Sequence, residues 1–335
     1  MKKILLVAGL LVIAVASAQS QTLTAAGATF PYPIYSKWFA EYSAAHPGVQ
    51  INYQSIGSGG GIRQFCSGLV DFGASDMPMT DAMIASCKVK LIHLPTVLGA
   101  VVPIYNVPGV KGDLRFTGAT LANIYMGKIS NWSDPALARE NPGVRLPNRK
   151  IIVVHRSDGS GTSFIFTDYL SKVSGQWASG PGRSTSPNWP VGVGGKGNEG
   201  VAGLVRQIPG AIGYVELIYA LQNHIAFGVL QNAAGSWVTA SIAGVTAAAA
   251  AVQFNSTDFR VSITNAPGAN AYPISSFSYL LIPTDPGRDA AKRRVLKDLL
   301  SWIVKSGESE ASPLSYAPLP PELVHKELSV IYSLK

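Results

Sequence analysis

The stretch HRSDGSGTSFIF, residues 155–166, sets arginine, aspartate and a run of glycine and hydroxyl residues at the mouth of an apolar segment. Three chemistries fit such a set: a nucleophilic serine, a loop for nucleotide phosphates, or a cradle for a free anion. A serine in a nucleophile elbow needs glycine two residues earlier, and Ser160 has Asp158 there, so G-x-S-x-G fails. Bases are scarce: His46, His93, His155, His224 and His325 are scattered, and alternation along a strand turns His155 away from Arg156. A phosphate-ester hydrolase using Ser160 stays open only if the fold carries a base to it. Nucleotide loops fare no better. GVGGKGNEG lacks the glycine spacing before Lys196 and the Ser or Thr after it, and GSGGGI misses the last glycine of G-x-G-x-x-G. No His or Cys groups stand at metal-ligand spacing, and no cofactor signature is present.

What remains is a recurrence. GATFP at 27–31, GSGGG at 57–61 and DGSGTS at 158–163 each put glycine and hydroxyl residues just ahead of a helical pattern. Helix starts expose unpaired N–H groups with partial positive charge, which suits an oxyanion. One such start is usually a simple cap. Three of them, with an arginine and an aspartate at strand ends, point to an anion site outside the carboxyl ends of an open sheet.

The elements that must carry these loops alternate strand and helix through the first two-thirds, the pattern of an α/β protein with largely parallel sheets. Ile34, Trp38, Phe39 and Tyr42 recur at helical spacing between Pro31 and Pro47-Gly48, VQINYQSI follows as a strand, and GIRQFCSGL places Ile62, Phe65, Cys66 and Leu69 on one helical face before the strand LVDFGAS. KIIVVHR reads as a strand, followed by a helix after Thr162 and a Gly-rich loop, GVGGKGNEG. AGVTAAAAAVQF, about 243–254, reads as a surface helix, and Leu296, Leu299, Leu300, Trp302 and Ile303 mark a closing helix. VVPIYNVPG near Val101 and SFSYLLIPTDP at 276–286 read as two crossings between domains, hence a hinge. The expected division is residues 1–18 as a signal peptide, 19–102 with 280–335 as one lobe, and 103–279 as the other.

The chain has 335 residues, 47% apolar and 14% charged, enough to bury two substantial cores. Lys2 and Lys3 precede the apolar run ILLVAGLLVIAVA and the small-residue site ASA, the form of an export signal cleaved after Ala18. Export would lower the formal charge of +8 by two lysines, to +6, and no cluster of five or more Lys and Arg offers a nucleic-acid or membrane face. Cys66 and Cys87 are the two cysteines, and an oxidising compartment favours their pairing, with a stabilisation of about 3 kcal/mol.

AAGATFPYPIYSKWF, YQSIGSGGGIRQF, VDFGASDMPMT, GKISNW, HRSDGSGTSFIFT and GGKGNEGVAGLVRQIPGAIGYVE occur in order from residue 25 to about 220. In these motifs the chain closely resembles the periplasmic phosphate-binding proteins, the substrate-binding component of bacterial phosphate ABC transporters (PstS family). Downstream only AYPISSFSYLLI shares the resemblance. It implies a two-lobed type II periplasmic binding protein fold with a hinge and an interlobe cleft, inorganic phosphate as ligand, a membrane permease as partner, a monomer in the periplasm, and no catalysis. Carried over motif by motif, the ligand contacts would be Thr29, Phe30, Ser58, Asp76, Arg156, Ser160, Gly161 and Thr162, with Asp158 holding Arg156. Gly59 stands where some relatives carry serine, and the cysteine pair is not a general family feature. A binding protein for another oxyanion is the remaining alternative.

Overall fold

A computed structural model describes residues 20–250, 252, 254, 258–284 and 289–334. The expected signal segment therefore lies outside the described residues. Eleven strands are described: β1 Gln21–Gly27, β2 Val49–Ser55, β3 Phe72–Ser75, β4 Leu91–Asn106, β5 Arg115–Phe116, β6 Ile152–Arg156, β7 Val193–Gly195, β8 Ala211–Glu216, β9 Val229–Gln231, β10 Trp237–Val238 and β11 Ser275–Pro283. Eight of them form one sheet in the order β2-β1-β3-β11-β4-β8-β6-β7, and β10-β9-β5 form a small second sheet.

The large sheet is mixed, where the alternation of strand and helix suggested a largely parallel one. β1 runs parallel to β2 and β3, and β6 runs parallel to β7 and β8. Between these parallel flanks, β11 is antiparallel to β3 and β4, and β4 is antiparallel to β8. Helical crossovers demand parallel neighbours, whereas strands that return from a distant segment carry no such constraint.

β4 ties the two lobes together. Its 16 residues serve both: Leu91–Ala100 pair with β11, and Val101–Asn106 pair with β8. The chain crosses back beside that handover, where Val101 N donates to Ile274 O at 2.8 Å. The two crossings therefore lie side by side and hydrogen-bonded at the hinge.

The helix Tyr32–Ala45 buries Ile34, Tyr35, Trp38, Phe39 and Tyr42, the expected apolar face plus one tyrosine. Cys66 and Cys87 are bonded, with Cα atoms 4.7 Å apart, so the end of the helix Ser58–Cys66 is pinned to the residue after the helix Asp81–Ser86. Leu69 does not extend that helix face. The helix ends at Cys66 and Leu69 is 71% exposed, because Gly68 turns the chain with φ +74°. The Gly-rich stretch is not all loop: it supplies β7 and then the helix Gly197–Gln207. The alanine-rich segment is helical over Ile242–Ala249, and it buries Gly244, Val245, Ala248 and Ala249, so only part of it faces solvent. The closing pattern forms the helix Ala290–Lys305, and a further helix, Pro321–Ser333, follows.

Candidate functional site

The parallel flanks decide where the chemistry goes. Each candidate loop leaves the carboxyl end of a strand, Thr29 after β1, Ser58 after β2 and Asp76 after β3 in one lobe, and Arg156 at the end of β6 in the other. The strand ends of the two lobes face each other across the hinge, which is where ligands of open α/β sheets are held.

On the first lobe, Ser58 begins its helix and is fully buried. Its hydroxyl accepts the Asp76 N–H at 3.1 Å and lies 3.3 Å from Asp76 Oδ2, while Ser278 donates to Asp76 Oδ1 at 2.8 Å. Burial pushes the Asp76 carboxyl up to about 7, against the Ser278 hydroxyl, the Arg156 charge and the Ser58 hydroxyl, all of which favour the ionised form. Asp76 is thus poised between accepting and donating a proton near neutral pH. Phe30 differs from its polar neighbours: its ring is fully buried beside Tyr316, whose hydroxyl donates to Phe30 O at 2.6 Å, so neither its ring nor its carbonyl is free for a ligand.

On the second lobe, Arg156 is 3% exposed and forked onto Asp158, with Nε to Oδ1 at 2.8 Å and Nη2 to Oδ2 at 2.5 Å. Burial pushes the Asp158 carboxyl up, but the Arg156 guanidinium and the Gly197 N–H hold it below the usual range. The remaining nitrogen, Nη1, reaches Thr162 Oγ1 at 3.3 Å. Ser160 caps the helix Gly161–Val173 by accepting the Ser163 N–H at 3.0 Å. The Gly161 and Thr162 N–H groups occupy that helix's first turn, where no intrahelical acceptor exists.

The lobes are in contact. Gly59 N donates to Gly159 O at 2.9 Å, Asn198 Nδ2 donates to Thr29 Oγ1 at 2.8 Å, and Tyr219 donates to Thr29 O at 2.6 Å. Two glycines make this approach possible. A methyl group on Gly161 would overlap Ser58 Oγ and the Asp76 carboxylate, and one on Gly57, already at φ +84°, would strike Asp158 and lie 2.6 Å from Gly159 O. Of the eight residues named for the ligand, Thr29, Ser58, Asp76, Arg156, Gly161 and Thr162 share contacts around this junction, with Asp158 behind Arg156, while Phe30 and Ser160 are their chain neighbours.

Asn198, Ser278, Tyr219 and Glu216 were missed. Asn198 lies within GGKGNEG, at a helix start, and that position was the available signal. Ser278 sits in an apolar strand and gives no local sign of facing Asp76. Glu216 ends β8, fully buried, with Oε2 accepting the Ile218 N–H at 2.7 Å, and burial raises it well above the usual carboxylate range.

Among the described residues, no histidine is hydrogen-bonded to Ser160. His155 Nδ1 contacts Arg156 O at 3.0 Å and its ring stacks on Trp189, while Ser160 Oγ accepts from its own helix. Among the described residues, no group of three or more His, Cys, Asp and Glu stands as a metal site.

Residues 14–307 match the model of the PBP superfamily domain. The phosphate-binding protein PstS of Xylella fastidiosa (strain Temecula1) is 50% identical over 308 residues, covering 91% of this chain and 84% of that protein. The chain belongs to the PstS family. PstS of Pasteurella multocida (strain Pm70) is 46% identical over 310 residues, covering 92% of this chain and 89% of that protein. In three dimensions the chain resembles a high-affinity periplasmic phosphate-binding protein (PfluDING), solved bound with phosphate, at a TM-score of 0.73 and 19% identity over 93% of this chain and 94% of the other. That likeness shows the fold, a two-lobed type II binding-protein architecture with its hinge and cleft.

Proposed function

We propose that this chain is an exported carrier that captures inorganic phosphate between its lobes and delivers it to the membrane permease of a phosphate ABC transporter. The observation that carries the reading is the meeting of two half-sites: Thr29, Phe30, Ser58 and Asp76 from one lobe against Arg156, Ser160, Gly161 and Thr162 from the other. The names of the PstS relatives support the ligand, and the lysine-flanked apolar N-terminus supports export with cleavage after Ala18. The carrier works as a monomer, with lobes of 19–102 plus 280–335 and 103–279. The pairing of Ser275–Pro283 with Leu91–Ala100 of β4 supports moving the second boundary a few residues earlier, to about 275.

Desolvating a compact anion costs of order 20 kcal/mol in the idealised limit and several kcal/mol after relaxation. Arg156 alone does not offset this, since Asp158 already balances its charge. Charge-assisted hydrogen bonds contribute about 1.5–3 kcal/mol each. The hydroxyls of Thr29, Ser58, Ser160 and Thr162, the N–H groups of Phe30, Gly161 and Thr162, and the Arg156 fork supply enough of them. Asp76 selects the ion: phosphate near neutral pH retains a proton for the carboxylate to accept, whereas sulfate offers only lone pairs. Among the described residues no histidine bonds Ser160, whose Oγ accepts from its own helix, and this supports capture and release rather than turnover.

Isothermal calorimetry of the phosphate-stripped protein against phosphate and sulfate at pH 8.5 tests this. One-site phosphate binding with little sulfate heat is expected. Absence of phosphate binding, or equal affinity for both ions, rejects the reading.

A further inference from the structure

Asn198 is fully buried between the lobes, one residue into the helix Gly197–Gln207. Its side-chain oxygen accepts the Glu216 N–H at 3.1 Å. A backbone N–H only donates, so this contact fixes which end of the amide is oxygen and turns Nδ2 the other way. There Nδ2 meets Thr29 Oγ1 at 2.8 Å and Thr162 Oγ1 at 3.3 Å, one threonine from each lobe. Thr162 Oγ1 also receives Arg156 Nη1 at 3.3 Å.

A hydroxyl has two acceptor lone pairs and one proton. Both lone pairs of Thr162 face groups that can only donate, so its proton must go to a third partner. Thr29 has one lone pair held in the same way. We propose that Asn198 is a positioning residue that sets the hydrogen polarity of the cleft, obliging the Thr162 hydroxyl to donate to the ligand, biasing Thr29 the same way by occupying one of its lone pairs, and leaving Asp76 to accept the proton a ligand carries. This rests on the phosphate-capture reading. With Thr162 locked as a donor and Thr29 biased toward donating, the lining disfavours a second ligand proton, which matches monohydrogen phosphate over dihydrogen phosphate. An unconstrained hydroxyl would accept a second proton and blunt that choice. Because Thr29 and Asn198 belong to different lobes, the bias on Thr29 arises only when the lobes meet.

The ionisable groups around position 198 are Arg156 and Asp158 at the end of β6, Glu199 on its own helix, Glu216 and Tyr219 beside the end of β8, and Asp76 across the cleft. All of these side chains stay in place when Asn198 is substituted, and a carboxylate at 198 adds a like charge beside Asp158, Glu199 and Glu216. Asn198→Asp keeps the size and the oxygen that accepts from Glu216, but presents an acceptor to both threonines and reverses them. Asn198→Ala frees the hydroxyls without reversing them, and it carries the test should the first variant not fold.

Phosphate affinity of the full mature chain is measured by calorimetry at pH 8 and pH 5. Asn198→Asp should bind at least about 100-fold more weakly than wild type at pH 8, from two lost donors and an added charge. At pH 5 the new carboxyl regains a proton and can donate to one threonine, so the gap should narrow about tenfold. Asn198→Ala should lose about tenfold at pH 8 and less at pH 5, where freed hydroxyls can accept the second proton of dihydrogen phosphate. Wild-type affinity in either variant at pH 8, or losses that do not change with pH, would reduce Asn198 to packing and overturn the inference. A wild-type chain that takes up no phosphate would overturn the capture reading itself, and this inference with it.

Discussion

Adding one methyl group at Gly161 asks whether two lobes form one site. In the structure that methyl would lie 2.7 Å from Asp76 Cβ and closer still to Ser58 Oγ and Asp76 Oδ2, where ordinary contact begins near 3.4 Å. Relief requires the lobes to part by about 1 Å at this point, since packed interiors have little slack. Such a shift carries the Gly59–Gly159 bond at 2.9 Å and the Asn198–Thr29 bond at 2.8 Å beyond useful length. Losing both costs about 2 kcal/mol, and weakening one charge-assisted contact to the bound ion costs about 2 kcal/mol more. A loss of about 4 kcal/mol is roughly a thousandfold in Kd. Gly161 is the first residue of its helix and its φ is not positive, so alanine should leave the ligand-free fold intact. Calorimetry gives the affinity, small-angle scattering with and without phosphate gives the closure, and thermal unfolding checks the fold. A Gly161→Ala protein that binds and closes like wild type would refute the reasoning that these half-sites meet at the ligand.

Asp76, pushed up by burial to about 7, should be able to donate to sulfate once it holds a proton, so sulfate competition should appear at pH 5.5 and be weak at pH 8.5. In Asp76→Asn the same competition should be present at both pH values, and a wild type whose selectivity is flat with pH would refute the role. Arg156→Ala should weaken phosphate binding by about 100-fold or more and leave a larger open population in scattering; normal affinity with normal closure contradicts it. Asp76 and Glu308 are acids raised by burial above their unfolded values, to about 7 and about 8. The native state then holds protons the unfolded chain has released, so the stability they contribute is full below about pH 4 and falls as pH rises through 7 to 8. The thermal midpoint of the ligand-free protein should therefore drop between pH 5 and pH 8.5, and Glu308→Gln should flatten part of that slope; a profile that Glu308→Gln leaves unchanged would count against it. Replacing Cys66 and Cys87 with serine should cost about 3 kcal/mol in urea unfolding, and an unchanged midpoint would show that the 21-residue closure does little.

The helix Tyr32–Ala45 was legible because its apolar spacing and its proline boundaries are local, and β2, β3 and β6 were legible for the same reason. The three glycine and hydroxyl loops could be read as helix starts, since a cap is chosen by residues within a few positions of each other. The antiparallel centre of the sheet was not legible. β11 joins β3 and β4 across long stretches of chain, and no local pattern states which strand a returning segment will pair with. Leu69 looked like a helix-face residue because periodicity does not register the turn at Gly68.

By itself the sequence determined the donors: which loops start helices, which residues carry hydroxyls, one arginine with its aspartate, and a cysteine pair near enough along the chain to close. Only the tertiary structure decided their opposition. Ser58 and Asp76 face Gly161 because β4 serves both lobes, and Asn198 ties Thr29 to Thr162 across 169 and 36 positions of chain. The proton affinity of Asp76 belongs to the same level, since the burial that raises it is made by residues distant in the chain, Ser58, Gly161 and Ser278 among them. Local propensity acts over a few residues, whereas desolvation and shape complementarity act between surfaces that the chain brings together from far apart.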